Sequence, residues 1–167
     1  MKKFILALFV TSLSLSALAA SAAGRWNGKV KLDLSAVKQR IKKDSAKFTG
    51  AQKTKADTDI AQATTREKVF AAATVSIDLR KDGSVTILTS INGKPESDTG
   101  KWKQTGNAVK FYGLSGKNGG PATMDGTLDA KGKTLVFDLS EEMKRQAKKK
   151  GVPAPDGVKL FINYTRA

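Results

Sequence analysis

The sequence predicts a mainly β fold, an antiparallel up-and-down β-barrel of about eight strands, with one or two helices inserted after the first strand and a short helix before the last. Three observations carry the prediction. Short segments alternating apolar and polar residues recur from Thr74 to Thr165. Glycine-containing turns separate most of them. Helical periodicity is confined to residues 35–72 and 140–150. Eight sequential strands pack as two sheets or close on themselves, and closure removes the exposed edges that a β protein must otherwise protect.

The first strand runs from Arg25 to Leu34, with Val30, Leu32 and Leu34 on one face and Lys29, Lys31 and Asp33 on the other. After Ser35, a helix N-cap candidate, Leu34, Val37 and Ile41 recur at helical spacing among Lys38, Arg40, Lys42 and Lys43. Between Thr49 and Thr58 the chain reads as a polar turn around Gly50. A second helix then carries Ile60, Ala63, Glu67 and Phe70 on one side, so residues 35–72 form a helical, partly flexible insertion.

Val75, Ile77 and Leu79 lead through Lys81-Asp82-Gly83-Ser84 into Val85, Ile87, Thr89 and Ile91, and Asn92-Gly93-Lys94-Pro95 is the next turn. Gly100 to Lys103 begins a strand that turns at Thr105-Gly106-Asn107 into Val109 and Phe111. Gly113 to Pro121 is a loop. Met124, Gly126 and Leu128 pair across Asp129-Ala130-Lys131-Gly132 with Leu135, Phe137 and Leu139. Ser140 caps a helix with Glu141 and Glu142 in its first turn and Lys148 to Lys150 in its last, and Gly151 stops it. Pro153 and Pro155 link to a final strand through Val158, Leu160, Ile162 and Tyr164.

Ahead of these elements, Lys2 and Lys3 precede an apolar run from Phe4 to Leu18, and Ala20-Ser21-Ala22 offers small side chains for cleavage. Residues 1–22 read as a secretory signal peptide, leaving residues 23–167 as one barrel domain, exported to the periplasm or secreted, with no transmembrane segment once the signal is removed. The chain lacks cysteine, a pattern that fits a bacterial exported protein better than a small disulfide-bridged extracellular domain. The formal charge of +15 becomes +13 when Lys2 and Lys3 leave. Such a field favours anionic envelope polymers or lipid surfaces, but the charges are scattered along the chain, and no nucleic-acid partner is expected.

Histidine is also absent. With neither His nor Cys, the usual zinc, copper and thiol chemistries lack ligands, so no metal or cofactor is expected. An enzyme using carboxylates alone would draw on a pair such as Asp125 with Asp138, and nothing in the sequence places them in a shared pocket. The chain reads as a binder, not an enzyme.

Gly24-Arg25-Trp26 at the start of the first strand resembles the Gly-x-Trp signature of the calycins, the superfamily of lipocalins and fatty-acid-binding proteins. The resemblance implies a lipocalin-like barrel in which Trp26 closes one end and Arg166, from the last strand, packs across it. Gly24, Trp26 and Arg166 are then structural closure residues, with cation–π stacking as the physical reason for the pair. The helices after the first strand are similar to the lid of the fatty-acid-binding branch, and the helix before the last strand to the lipocalin branch.

The resemblance implies a small apolar or amphipathic ligand, with rim lysines drawing an acidic head. Trp102, Phe111, Met124, Phe137, Ile87 and Tyr164 line a hollow barrel or fill a solid one. The alternative is a basic envelope protein with a filled, structural barrel, docking on anionic polymers or lipids through Lys144, Arg145, Lys148, Lys149 and Lys150. More often such a run is a solvated helix face.

Overall fold

The computed structural model describes residues 20–115, 122–149, 151 and 156–167. Lys150, Pro153 and Pro155, most of the predicted signal peptide and part of the Gly113–Pro121 loop lie outside the described residues. Eight strands form a closed antiparallel barrel in sequence order: β1 (Gly24–Asp33), β2 (Thr74–Leu79), β3 (Ser84–Ile91), β4 (Lys94–Thr105), β5 (Ala108–Tyr112), β6 (Thr123–Leu128), β7 (Thr134–Asp138) and β8 (Lys159–Arg166). Helices α1 (Ser35–Ser45) and α2 (Gly50–Ala71) lie between β1 and β2, and α3 (Ser140–Lys149) precedes β8. The predicted barrel and its helical insertions are thus the observed fold.

Closure comes from β1 pairing with β8, in a register that sets Trp26 opposite Arg166 and Gly28 opposite Tyr164. The hairpins β2–β3, β4–β5 and β6–β7 gather at one end with Ala20–Ala23 and the C-terminus. The other end carries the helices, the β3–β4 turn and the β5–β6 loop.

Several boundaries differ from the sequence reading. Helix α2 starts at Gly50, so the stretch expected to be a polar turn is helix. Its Ala, Gln and Lys content favours helix, while only Ala56 and Ala63 are buried, which leaves almost no apolar stripe to read. Strand β4 starts at Lys94 instead of Gly100, and Pro95 pairs opposite Ser90. Residues Lys94–Ser97 are exposed on both faces, so the apolar alternation that marks a strand is missing there. Asn92 and Gly93, both at positive φ, form the whole β3–β4 turn.

Ser35 does not cap α1; Leu34 holds that position. The Asp33 carboxylate instead accepts a hydrogen bond from the Ser35 N–H at 2.9 Å, and Asp138 does the same for Ser140 at 2.9 Å. Each helix that follows a strand is therefore entered through an aspartate two residues upstream. The Ser140 hydroxyl then accepts from the Leu160 N–H at 3.0 Å, tying α3 to β8.

Candidate ligand cavity

The barrel is filled at one end and hollow at the other. At the hairpin end Trp26, Leu128 and Leu135 are fully buried, and Leu79, Val85 and Val109 are nearly so. Above them lies an aromatic layer. Phe111 and Phe137 stack tilted at 4.7 Å, and Phe137 meets Tyr164 edge-on at 5.9 Å.

Two glycines make room for these rings. A Cβ on Gly28 would stand 2.5 Å from the Tyr164 ring, and one on Gly126 would stand 2.6 Å from the Phe137 ring, each glycine lying directly opposite its ring in the sheet.

Beyond this layer, towards the helical end, the inward positions carry smaller side chains and leave a cavity of about 370 Å³. Its apolar wall includes Val30, Val75, Ile87, Met124, Leu160 and Ile162. Leu114 and Leu139 extend it, Phe70 of α2 contributes from the lid, and Tyr164 lines it as well. Polar lining comes from Thr89, Ser97 and Ser115, and charge from Glu96 and Asp98. The volume falls at the small end of the range for small-molecule sites, about 300–1,000 Å³.

The Tyr164 hydroxyl is buried with no hydrogen-bond partner among the described residues, and burial pushes its ionisation well above the ordinary phenol range, so it stays neutral. A buried polar group without a partner is costly and uncommon in a native fold.

Helix α2 is held by packing and by one hydrogen-bonded side chain. Glu67 on α2 accepts the Leu34 N–H at 2.8 Å and the Lys38 ammonium at 2.5 Å, joining α2 to the β1–α1 junction. The Lys38 hydrogen bond, seconded by Leu34, holds this carboxyl below its usual range. Val37, Ala63, Met143 and Val158 pack around Leu34 in a second small core.

The six sequence candidates separate by height. Ile87, Met124 and Tyr164 line the cavity. Phe111 and Phe137 are fully buried in the layer beneath it. Trp102 lies elsewhere: its indole N–H donates to the Arg80 carbonyl at 2.8 Å and its main-chain N–H to Gly83 at 2.8 Å, which places it beside the β2–β3 hairpin at the filled end. Phe70, Leu114 and Leu139 line the cavity without having been candidates. Phe70 carries a signal in its place on the apolar side of the second helix, and Leu139 in its alternation with Leu135 and Phe137; Leu114 carries none.

The expected lysine rim is not part of the lining. Among the described lining residues the only charged ones are Glu96 and Asp98. The Asp98 carboxylate accepts the N–H groups of Thr99 at 2.8 Å and Ser115 at 3.0 Å.

At the filled end the Arg166 guanidinium sits 4.7 Å over the Trp26 ring and donates to the carbonyls of Gly132 at 3.1 Å, Ala23 at 3.1 Å and Ser21. Gly24 sits beside it at φ +133°. On α3, Lys144 pairs with Glu141 at 2.6 Å and Arg145 with Glu142, so two members of the basic run are engaged within their own helix; Lys148 and Lys149 are exposed. Asp125 lies 3.5 Å from Lys110, Asp138 is taken up by Ser140, and neither lines the cavity. Among the described residues no group of three or more Asp or Glu side chains is arranged to hold a metal ion, and no helix is long and apolar enough to cross a membrane.

The fold and its cavity define a closed eight-stranded barrel with an internal pocket at one end, consistent with the calycin-like layout implied by Gly24, Trp26 and Arg166. No protein-family model matches the chain, and no curated protein matches it. Among solved structures, a mutant of the fatty acid transporter REP1-NXSQ is similar at 14% identity, over 87% of this chain and 97% of that chain, with a TM-score of 0.35.

Proposed function

We propose that this protein is an exported binder of a small, largely apolar molecule held in the hollow half of the barrel, and that it carries its ligand without transforming it. The cavity carries the reading: about 370 Å³ walled by aliphatic side chains, floored by an aromatic layer and covered by Phe70. Burying apolar area there supplies the driving force.

The lining also defines the ligand's polar end. The Tyr164 hydroxyl offers one hydrogen bond inside, and the two charged lining residues are acids. Among the described lining residues Glu96 would oppose an anionic head. The polar end that suits the buried Tyr164 hydroxyl is neutral, such as a hydroxyl or carbonyl. Export rests on the N-terminal leader, with Lys2, Lys3 and the apolar run from Phe4 to Leu18.

Competition against a bound uncharged, polarity-sensitive dye tests the reading. Long-chain alcohols, amines and carboxylates of equal length are compared at low and high salt. The expected order is alcohol ahead of carboxylate, with little salt dependence for the alcohol. Preferential displacement by the carboxylate would overturn the head-group assignment, and failure of the dye to bind would overturn the cavity reading.

A second reading, a basic envelope protein docking on anionic polymers, draws on one observation: among the described residues no Lys or Arg lines the cavity, so the cationic excess faces outward.

A further inference from the structure

The four residues before the first strand belong to the barrel. Ala22 is fully buried in the main core, its N–H donates to Gln104 Oε1 at 2.7 Å, and its carbonyl accepts the Trp26 indole N–H at 2.8 Å. The Ala20 carbonyl accepts from Gln104 Nε2 at 2.6 Å, and the Ser21 carbonyl accepts from Arg166. Ala20 also packs against the core and lies where a side chain on Gly132 would have to go, its Cβ 2.6 Å from that position. The segment is the plug under Trp26 that completes the filled end.

Removing this plug has defined consequences. Cleavage after Ala22, as Ala20-Ser21-Ala22 invites, would strip the buried Trp26 N–H of its acceptor, take both of these partners from the Gln104 amide, and put a new ammonium directly at the barrel end. It would also uncover the apolar surface of Trp26 and its neighbours that Ala22 covers, which costs stability. The sequence offers a second site three residues earlier, where Ala17-Leu18-Ala19 also places small residues at both required positions.

We propose that the bond cut during export is Ala19–Ala20, so that the mature protein begins at Ala20 and keeps its plug. This rests on residues at the N-terminus being an export signal. In the step, a membrane signal peptidase uses water to hydrolyse one amide bond; the carboxylate stays on Ala19 and the amine on Ala20. That amine falls on a residue that is only partly buried, and every contact made by Ala20, Ser21 and Ala22 survives.

Intact mass and N-terminal sequencing of the protein, expressed with its own leader in a bacterial host and recovered from the periplasm, test this. A single species starting at Ala20 is expected, and Ala19→Leu should suppress it. A product starting at Ala23 would overturn the site while leaving export intact. An uncleaved chain retained inside the cell would overturn export itself, and the proposal with it.

Discussion

Arg166 and Trp26 face each other across the β1–β8 ladder, the strand pair that closes the barrel, and the guanidinium rests 4.7 Å above the indole ring. The same guanidinium donates to carbonyls of Ser21, Ala23 and Gly132, so one side chain clamps the N-terminal segment, the closing strand and the β6–β7 hairpin. Arg166→Ala should cost about 1–3 kcal/mol of stability, seen as a lower urea midpoint with an altered near-ultraviolet tryptophan signal. Arg166→Lys should recover only part of it, because an ammonium lacks the planar fork that reaches three carbonyls while stacking.

Tyr164→Phe separates stability from binding. The hydroxyl has no partner among the described residues, so removing it should leave the ligand-free protein unchanged or stabilise it by about 1 kcal/mol, a rise of roughly 2–4 °C in Tm for a domain of this size. Affinity for a long-chain alcohol should fall by the worth of one hydrogen bond, about 0.5–1.5 kcal/mol. Calorimetry with and without the alcohol reads both; a clear loss of stability without ligand would show that the hydroxyl has a partner inside the fold.

Gly126→Ala should destabilise by about 1–3 kcal/mol, because its Cβ would stand 2.6 to 2.8 Å from three atoms of the fully buried Phe137 ring. Gly50→Ala meets open space but at φ +56°, so its smaller penalty is purely conformational. Urea unfolding of the two variants distinguishes the mechanisms: adding Phe137→Leu should relieve the first and leave the second untouched.

The Glu67 fastening predicts a pH dependence. Its carboxyl is held below the usual range in the folded protein, chiefly by Lys38 and then by the Leu34 N–H, so its contribution is complete above the unfolded-state value near 4.5 and is lost as pH falls through the lowered native value. Glu67→Gln should lower stability by about 0.5–1 kcal/mol at neutral pH. The gap from the parent protein should close in acid, and a gap that stays constant down the acid limb would contradict the assignment.

The barrel was legible in the sequence because inward and outward residues alternate plainly through β2, β3, β5, β6, β7 and β8, and because turns such as Asn92-Gly93 punctuate them. Where both faces meet water, as at Lys94–Ser97, the signal vanishes although the backbone still pairs. Helix α2 was half-legible for a related reason: its two buried residues are alanines, too small to mark a stripe.

The cavity was harder to read. Alternation says which side chains point inward but not at what height, and height decides whether Phe137 is floor or Ile87 is wall. Trp102 shows the limit most clearly, since its pattern beside Lys101 and Lys103 is that of an inward residue, while register with the β2–β3 hairpin sets it at the filled end.

Saturable binding of an uncharged, polarity-sensitive dye, compared between the parent protein and Met124→Trp, tests the account most directly. Met124 lines the cavity, and an indole there occupies the space a ligand needs. One dye per barrel is expected in the parent protein, with binding lost in the variant while far-ultraviolet circular dichroism shows an intact barrel. No saturable binding in the parent, or equal binding in a folded Met124→Trp, would contradict it.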